Sequence, residues 1–182
     1  MTVAKRPELK FRYEHYVLFP NDGNRHEIID GDHYMSPAPS TYHQTVSKRL
    51  QYFLYSTIEL TGLGTVFNAP VDLQLGPFDI VQPDLVVLLK ASKARITPSK
   101  IIGPPDLVVE ILSPSTAEND LTLKRHLYER EKIGEYWIVD PLEHRILQLR
   151  LAEGNYSELP KVEKEISLQA LPELRISLDR IW

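Results

Sequence analysis

Two short runs place carboxylates where a protein core normally has none. Pro83-Asp84-Leu85-Val86-Val87-Leu88-Leu89 and Pro105-Asp106-Leu107-Val108-Val109-Glu110-Ile111-Leu112 are both β-branched apolar runs entered through Pro-Asp, as suits strands buried on both faces. Residues two apart in a strand share a face, so Asp106, Val108, Glu110 and Leu112 point one way. Glu110 then stands at the far end of an apolar run, where a carboxylate without a partner is costly. Lys124 is the complementary charge. It has Leu121 three residues before it, Leu127 three after and Tyr128 four after, which sets it on the inward face of a helix, beside Asp120 at i−4. Two acids and an inward lysine are the parts of a magnesium site that splits phosphodiesters. Carboxylates hold a hard cation through oxygen, and the cation neutralises phosphate and generates hydroxide from water. The lysine orients that water or stabilises the developing charge.

The elements that must position these groups are legible in outline. Residues 11 to 19 form a short helix stopped by Pro20. His26 to Met35 reads as two strands with Asp30-Gly31 at a tight turn. Tyr42, Val46, Leu50, Phe53, Leu54 and Ile58 recur at spacings of three and four, which predicts an amphipathic helix over 41–60. Residues 65 to 75 read as one strand with Pro70 marking an edge or bulge. Ser115 and Glu118 form a capping-box pattern for a helix over 117–132. Residues 136 to 139 form another buried strand, and 144–151 with 155–159 an antiparallel hairpin around Gly154. The order of helices and strands gives an α/β chain with a mixed α+β sheet flanked by helices. A single domain over 1–182 is expected, with its core at about 11–151 and a peripheral extension at 152–182.

The pattern of Pro83-Asp84, Glu110 on a later strand and then a lysine resembles the PD-(D/E)XK nuclease superfamily. The longer runs HEIIDGDHYMSPAPSTYHQ, VQPDLVVL and PDLVVEILSPSTAENDLTLKRHLYEREKIGEYWIVDP are similar, in that order, to the Uma family of restriction-endonuclease-like proteins. The resemblance covers roughly residues 11 to 151 and implies a restriction-endonuclease-like core. It implies Asp84 and Glu110 as ligands of Mg²⁺ or Mn²⁺, with the Ile111 carbonyl as a third. It further implies Lys124 as the catalytic lysine and Glu27 as an acid completing the site from an early element. The superfamily pattern puts its lysine at position 112, where this chain has Leu112, so Lys124 on the next helix is a displaced version. His43 and Gln82 are accessory candidates, and Asp106 reads as a structural strand-entry residue. The function implied is metal-dependent hydrolysis of DNA phosphodiesters, and many nucleases of this class cut as homodimers. The alternative is a non-catalytic nucleic-acid- or protein-binding module that keeps the fold.

Composition closes off other chemistries. The 182 residues contain no cysteine, which excludes disulfides, thiolate metal centres and a cysteine nucleophile. No H-E-x-x-H, Walker loop, G-x-G-x-x-G or G-x-S-x-G occurs. The 21 bases against 25 acids give a net charge of −4, which argues against tight, indiscriminate DNA binding. Charge is locally basic over residues 5 to 12 and over 90 to 100, where Lys90, Lys93, Arg95 and Lys100 meet no acid. Leu171, Leu174, Ile176, Leu178 and Ile181 offer a dimer interface. The first twenty residues lack the apolar centre of a signal peptide, and no run nears ~18 apolar residues. A cytoplasmic, soluble protein is therefore expected.

Overall fold

Strand alternation decides the architecture. The protein is described over residues 10–182 by a computed structural model, so Lys5, Arg6 and Glu8 of the early basic stretch lie outside the described residues. After a short helix α1 (Tyr13–Tyr16), strands β1 (Arg25–Ile29) and β2 (Asp32–Ser36) form the expected hairpin. Its turn holds Asp30 at φ 52° and Gly31 at φ 78°, the two left-handed positions of a tight hairpin turn. Helix α2 (Thr41–Leu54) starts where the Ser40 side chain accepts a hydrogen bond from the His43 amide, and it runs on as a π-helical turn, Tyr55–Glu59. The run expected as one strand over 65–75 is two: β3 (Gly64–Asn68) and β4 (Leu73–Gly76), parted at Ala69-Pro70 and placed in different sheets.

The remaining strands are β5 (Asp79–Val81), β6 (Leu85–Leu89), β7 (Arg95–Ile96), β8 (Ile101–Ile102) and β9 (Leu107–Ile111). Then come α3 (Ala117–Asn119), a π-helical segment Asp120–Lys124 and α4 (Arg125–Arg130), which follow one another as one helix. The Ser115–Glu118 capping box does not form. Thr116 is the N-cap, and the Ser113, Ser115 and Thr116 hydroxyls contact one another instead. Strands β10 (Glu135–Asp140), β11 (Arg145–Ala152), β12 (Asn155–Glu158), β13 (Glu165–Leu168) and β14 (Leu171–Ser177) complete the chain, followed by a 3₁₀ turn at Leu178–Arg180.

Two six-stranded mixed sheets result, ordered β2-β1-β5-β4-β8-β7 and β12-β11-β10-β9-β6-β3, with β13-β14 as a separate hairpin. In the second sheet β9 and β10 are parallel, and the helix over 117–130 is the crossover such a pair requires. One face of this sheet presents Leu85, Val87, Leu107, Val109 and Ile111 to the buried side of α2, and the other presents Val86, Leu88 and Val108 toward Leu127, Tyr128 and the first sheet. The basic stretch 90–100 contains β7, the edge strand of the first sheet. That edge lies four strands from β1, about 19 Å at ~4.8 Å per strand.

The C-terminal stretch is not peripheral. Ile166, Leu168, Leu174, Ile176, Leu178 and Ile181 are buried in the core beside α2. Glu135 ties the hairpin down, since its carboxylate accepts from the Gln169 amide, Trp137 Nε1 and Gln148 Nε2. Leu174, Ile176, Leu178 and Ile181, expected at a dimer interface, are packed in the chain's own core. Ile176→Ala is expected to cost about 2–5 kcal/mol, the usual range for truncating a packed core side chain. Urea unfolding measures it, and a cost under about 1 kcal/mol would return these residues to a surface role. Among the described residues no helix is long and apolar enough to cross a membrane.

Candidate active site

The β6–β9 register brings the two motif acids together. Leu85 pairs with Val109, so Asp84, one step before, stands opposite Glu110, one step after, and opposed residues point to the same face. The link is direct: the Ile111 amide donates to Asp84 Oδ2 at 2.8 Å. That face is the one covered by the helix over 117–130. Asp106, two residue pairs upstream, accepts from the Leu89 amide at 2.7 Å and acts as a structural strand-entry cap.

Lys124 points inward and is only 4% exposed. Its Nζ lies 3.0 Å from Glu110 Oε1, 3.0 Å from Glu27 Oε1 and 3.4 Å from Asp120 Oδ1. The Tyr128 hydroxyl, one turn further along the helix, donates to the same Glu110 Oε1 at 2.7 Å. Glu27 arrives on β1 from the first sheet and also accepts from the Gln82 amide at 2.8 Å. Gln82's side chain turns away, donating to Asp72 and to the Tyr16 hydroxyl, so Gln82 enters the site through its backbone. His43, on the first turn of α2, is buried with Nε2 3.0 Å from Asp84 Oδ2, while its Nδ1 has no hydrogen-bond partner.

The structure thus gathers Glu27, Asp84, Glu110, Lys124 and His43 at one place, and adds three residues that the sequence reading did not assign to it. Arg25 directs both terminal nitrogens at Asp84 Oδ1, each at 3.1 Å. Its signal was available, because Arg25 lies two before Glu27 on one strand and so shares its face. Asp120 was read only as the i−4 neighbour of Lys124. It is 2% exposed, on the π-helical segment that holds both residues inward, and single π turns recur at functional sites. Tyr128, four residues after Lys124 on the same inward face, is packed in the core as well as bonded to Glu110.

Electrostatics follows from burial. Four buried carboxylates (Glu27, Asp84, Glu110, Asp120) face two cations (Arg25, Lys124), so full ionisation leaves two negative charges without a counter-ion. Burial pushes the Glu110 carboxyl up to about 8; Lys124 opposes the rise, and Asp120, Asp84 and Glu27 add to it. Burial likewise raises Asp120 despite Lys124. Asp84 goes the other way: burial works to raise it, but His43, Arg25 and the Ile111 amide hold it below the usual carboxylate range. Burial acts to strip the proton from Lys124, yet Glu110, Glu27 and Asp120 keep it firmly charged.

As the side chains stand, no three His, Asp or Glu among the described residues are spaced to hold a metal ion. Asp84 gives its oxygens to Arg25, His43 and Ile111, and Lys124 stands among the other three acids. The donor set nevertheless fits a hard divalent cation on three counts. The donors are oxygens, as such a cation requires. Full ionisation of the four acids leaves two negative charges, which a divalent cation would balance. Asp120 Oδ1 is buried without a hydrogen bond, its cation partner Lys124 being 3.4 Å away.

Two cavities meet at these residues. An inner one of about 190 Å³ holds Glu27, Asp84, Glu110, Asp120 and Lys124. It shares Arg25, Pro37, Ala38, Pro39, His43 and Asp84 with an outer groove of about 880 Å³ along α2.

The model of the Uma2 family, described as "Putative restriction endonuclease", matches residues 13–179. A solved structure from Anabaena variabilis, described as "a putative nuclease belonging to DUF820", superposes with a TM-score of 0.77. It is 18% identical, with 94% of this chain and 97% of that one covered. That likeness shows the fold, a mixed α+β core of the restriction-endonuclease-like kind. No curated protein matches the chain.

Proposed function

The chain belongs to the Uma2 family, whose description makes it nuclease-like, and from that premise we propose that it hydrolyses DNA phosphodiesters with the help of Mg²⁺ or Mn²⁺. The observation that carries this reading is Lys124, buried and in contact with Glu27, Glu110 and Asp120 at the end of the β6–β9 pair. A lysine held this way is a poor stability device, since burying ions costs more than most pairs return, but a good one for holding a proton against a phosphate.

Asp84, Glu110 and the Ile111 carbonyl are the groups that would hold the cation. When bound, it would supply Lewis acidity to the phosphate and a bound water more acidic than bulk water. The chain's own residues do the rest. Arg25, His43 and the Ile111 amide fix the Asp84 carboxylate in one orientation. Tyr128 and Lys124 fix the Glu110 oxygen they share. Lys124 Nζ also donates its charge to the developing negative phosphate oxygens, a contribution of the size found for preorganised donors. The walls of the inner cavity limit the water that competes for these groups.

Plasmid nicking tests this. Purified protein is expected to convert supercoiled plasmid to open circles with Mg²⁺ or Mn²⁺ and to stop in EDTA. The second reading, a non-catalytic module, draws on the absence of three metal-spaced donors among the described residues. No nicking with either ion, together with no heat of Mn²⁺ binding in calorimetry, would establish that reading instead.

A further inference from the structure

The chemistry-bearing groups are recessed, and the groove that leads to them is unusually free of acid. Asp84, Glu110, Glu27 and Lys124 are each under 5% exposed. The inner cavity that holds them, about 190 Å³, is below the ~300–1,000 Å³ that encloses a drug-sized ligand, so a phosphate with its sugar edges enters and a base pair does not. The outer groove of about 880 Å³ leads to it. One wall is α2, which lies in a stretch from residue 33 to 58 without a single Asp or Glu in a chain holding 25 of them. Gln44 and Lys48 form an i, i+4 stripe on that wall, with Ser47 beside them. Asn24 lines the groove near Arg25, and Asn68 lines it beyond Gln51.

We infer that the groove carries an unpaired strand of DNA, so that the substrate is single-stranded or locally opened rather than an intact duplex. This rests on the nuclease reading for the role of its floor, but the groove itself is a separate observation. To reach Asp84 and Glu110, a phosphate must pass between α2 and the loops facing it. A strand in a duplex is tied to its complement on its inner side, and drawing it between two walls costs a few kcal/mol of unstacking per step. A free strand enters without that cost. The acid-free wall suits the phosphates, with Lys48 as the point charge, and the Gln44 and Asn24 amides suit exposed base edges. No Phe, Tyr or Trp lines the groove, and its one imidazole, His43, is buried against Asp84, so binding draws on phosphates and amides rather than on stacking, and it is modest and salt-sensitive.

Fluorescence anisotropy with labelled single-stranded and blunt duplex DNA of one sequence tests this on the native protein, with and without Mn²⁺. The expected result is single-strand binding at least about tenfold tighter than duplex binding, as an unstacking cost of that size implies. In Lys48→Gln the slope of log affinity against log salt is expected to fall by about 0.7 for the single strand, and Gln44→Ala is expected to weaken the same binding. Both side chains are exposed on α2, so neither change threatens the fold. Duplex binding as tight as single-strand binding, or no binding of either, overturns the inference. The two readings separate cleanly: plasmid cleavage without single-strand preference leaves the nuclease reading standing and removes this one. Selective single-strand binding without hydrolysis supports this one and removes the other.

Discussion

Lys124→Met is expected to lose about 3–5 kcal/mol of stability near pH 8, the range for removing one partner of a buried ion pair, and much less near pH 5. Lys124 Nζ is within 3.4 Å of three carboxylates, all of them nearly or fully buried. Methionine matches its length and leaves little cavity, so the loss is electrostatic. Without the cation, Glu110 and Asp120, already raised by burial, rise further. An acid whose folded pKa lies above its unfolded value binds more protons in the native state, so stability falls as pH rises through that window. The variant's deficit therefore grows with pH and shrinks where the carboxyls can take up protons. Urea unfolding at the two pH values reads it. A deficit equal at both would mean that the acids do not feel Lys124, and the site would lose its organising charge. Nicking is expected to disappear in the same variant at either pH.

Much of this site was legible because strand parity is a strong constraint. Glu110 could be assigned to one face from its neighbours alone, and Lys124 to the inward side from Leu127 and Tyr128. The pairing of β6 with β9 then does the rest, since any antiparallel register that opposes Leu85 to Val109 brings Asp84 to Glu110. What stayed hidden depends on contacts between distant elements. Nothing near Arg25 in sequence says that its partner is Asp84, 59 residues away. The π-helical segment at Asp120–Lys124 has no sequence signature separable from an ordinary helical turn, so the sequence shows Asp120 as the i−4 neighbour of Lys124 and not as a further buried acid of the site. The strand expected over 65–75 divides because alternation cannot say which of two sheets a residue joins. The C-terminal hairpin is a different matter. Ile166 and Leu168, then Leu174, Ile176 and Leu178, alternate with period two, with Ser167, Arg175 and Ser177 between them, the signature of a half-buried strand. The family match, which runs to residue 179, agrees with the packing in treating that hairpin as part of the domain.

Glu110→Gln is expected to move stability and activity in opposite directions. In the native protein the Glu110 carboxyl sits at about 8 against an ordinary 4.5. Native Glu110 therefore holds a proton that the unfolded chain has already released, and stability declines with pH between those two values. Glutamine cannot ionise, keeps the shape and still accepts from Tyr128 and Lys124. The variant is expected to match the native protein near pH 4.5 and to exceed it above about pH 8, with a flatter stability profile between, as thermal unfolding across that range measures. Nicking is expected to fall by at least about 10²–10³-fold, the loss seen when one preorganised electrostatic group is removed from an active site. Asp84→Ala should share the loss of activity without the gain in stability, because its carboxyl is held low by Arg25 and His43 and its removal strands both. A carboxylate kept where it destabilises the fold is kept for what it does, and the pair of variants separates that case from simple damage. Were Glu110→Gln to lose stability at high pH and keep its nicking, the buried acid would be structural, and the catalytic reading of the β6–β9 pair would fall with it.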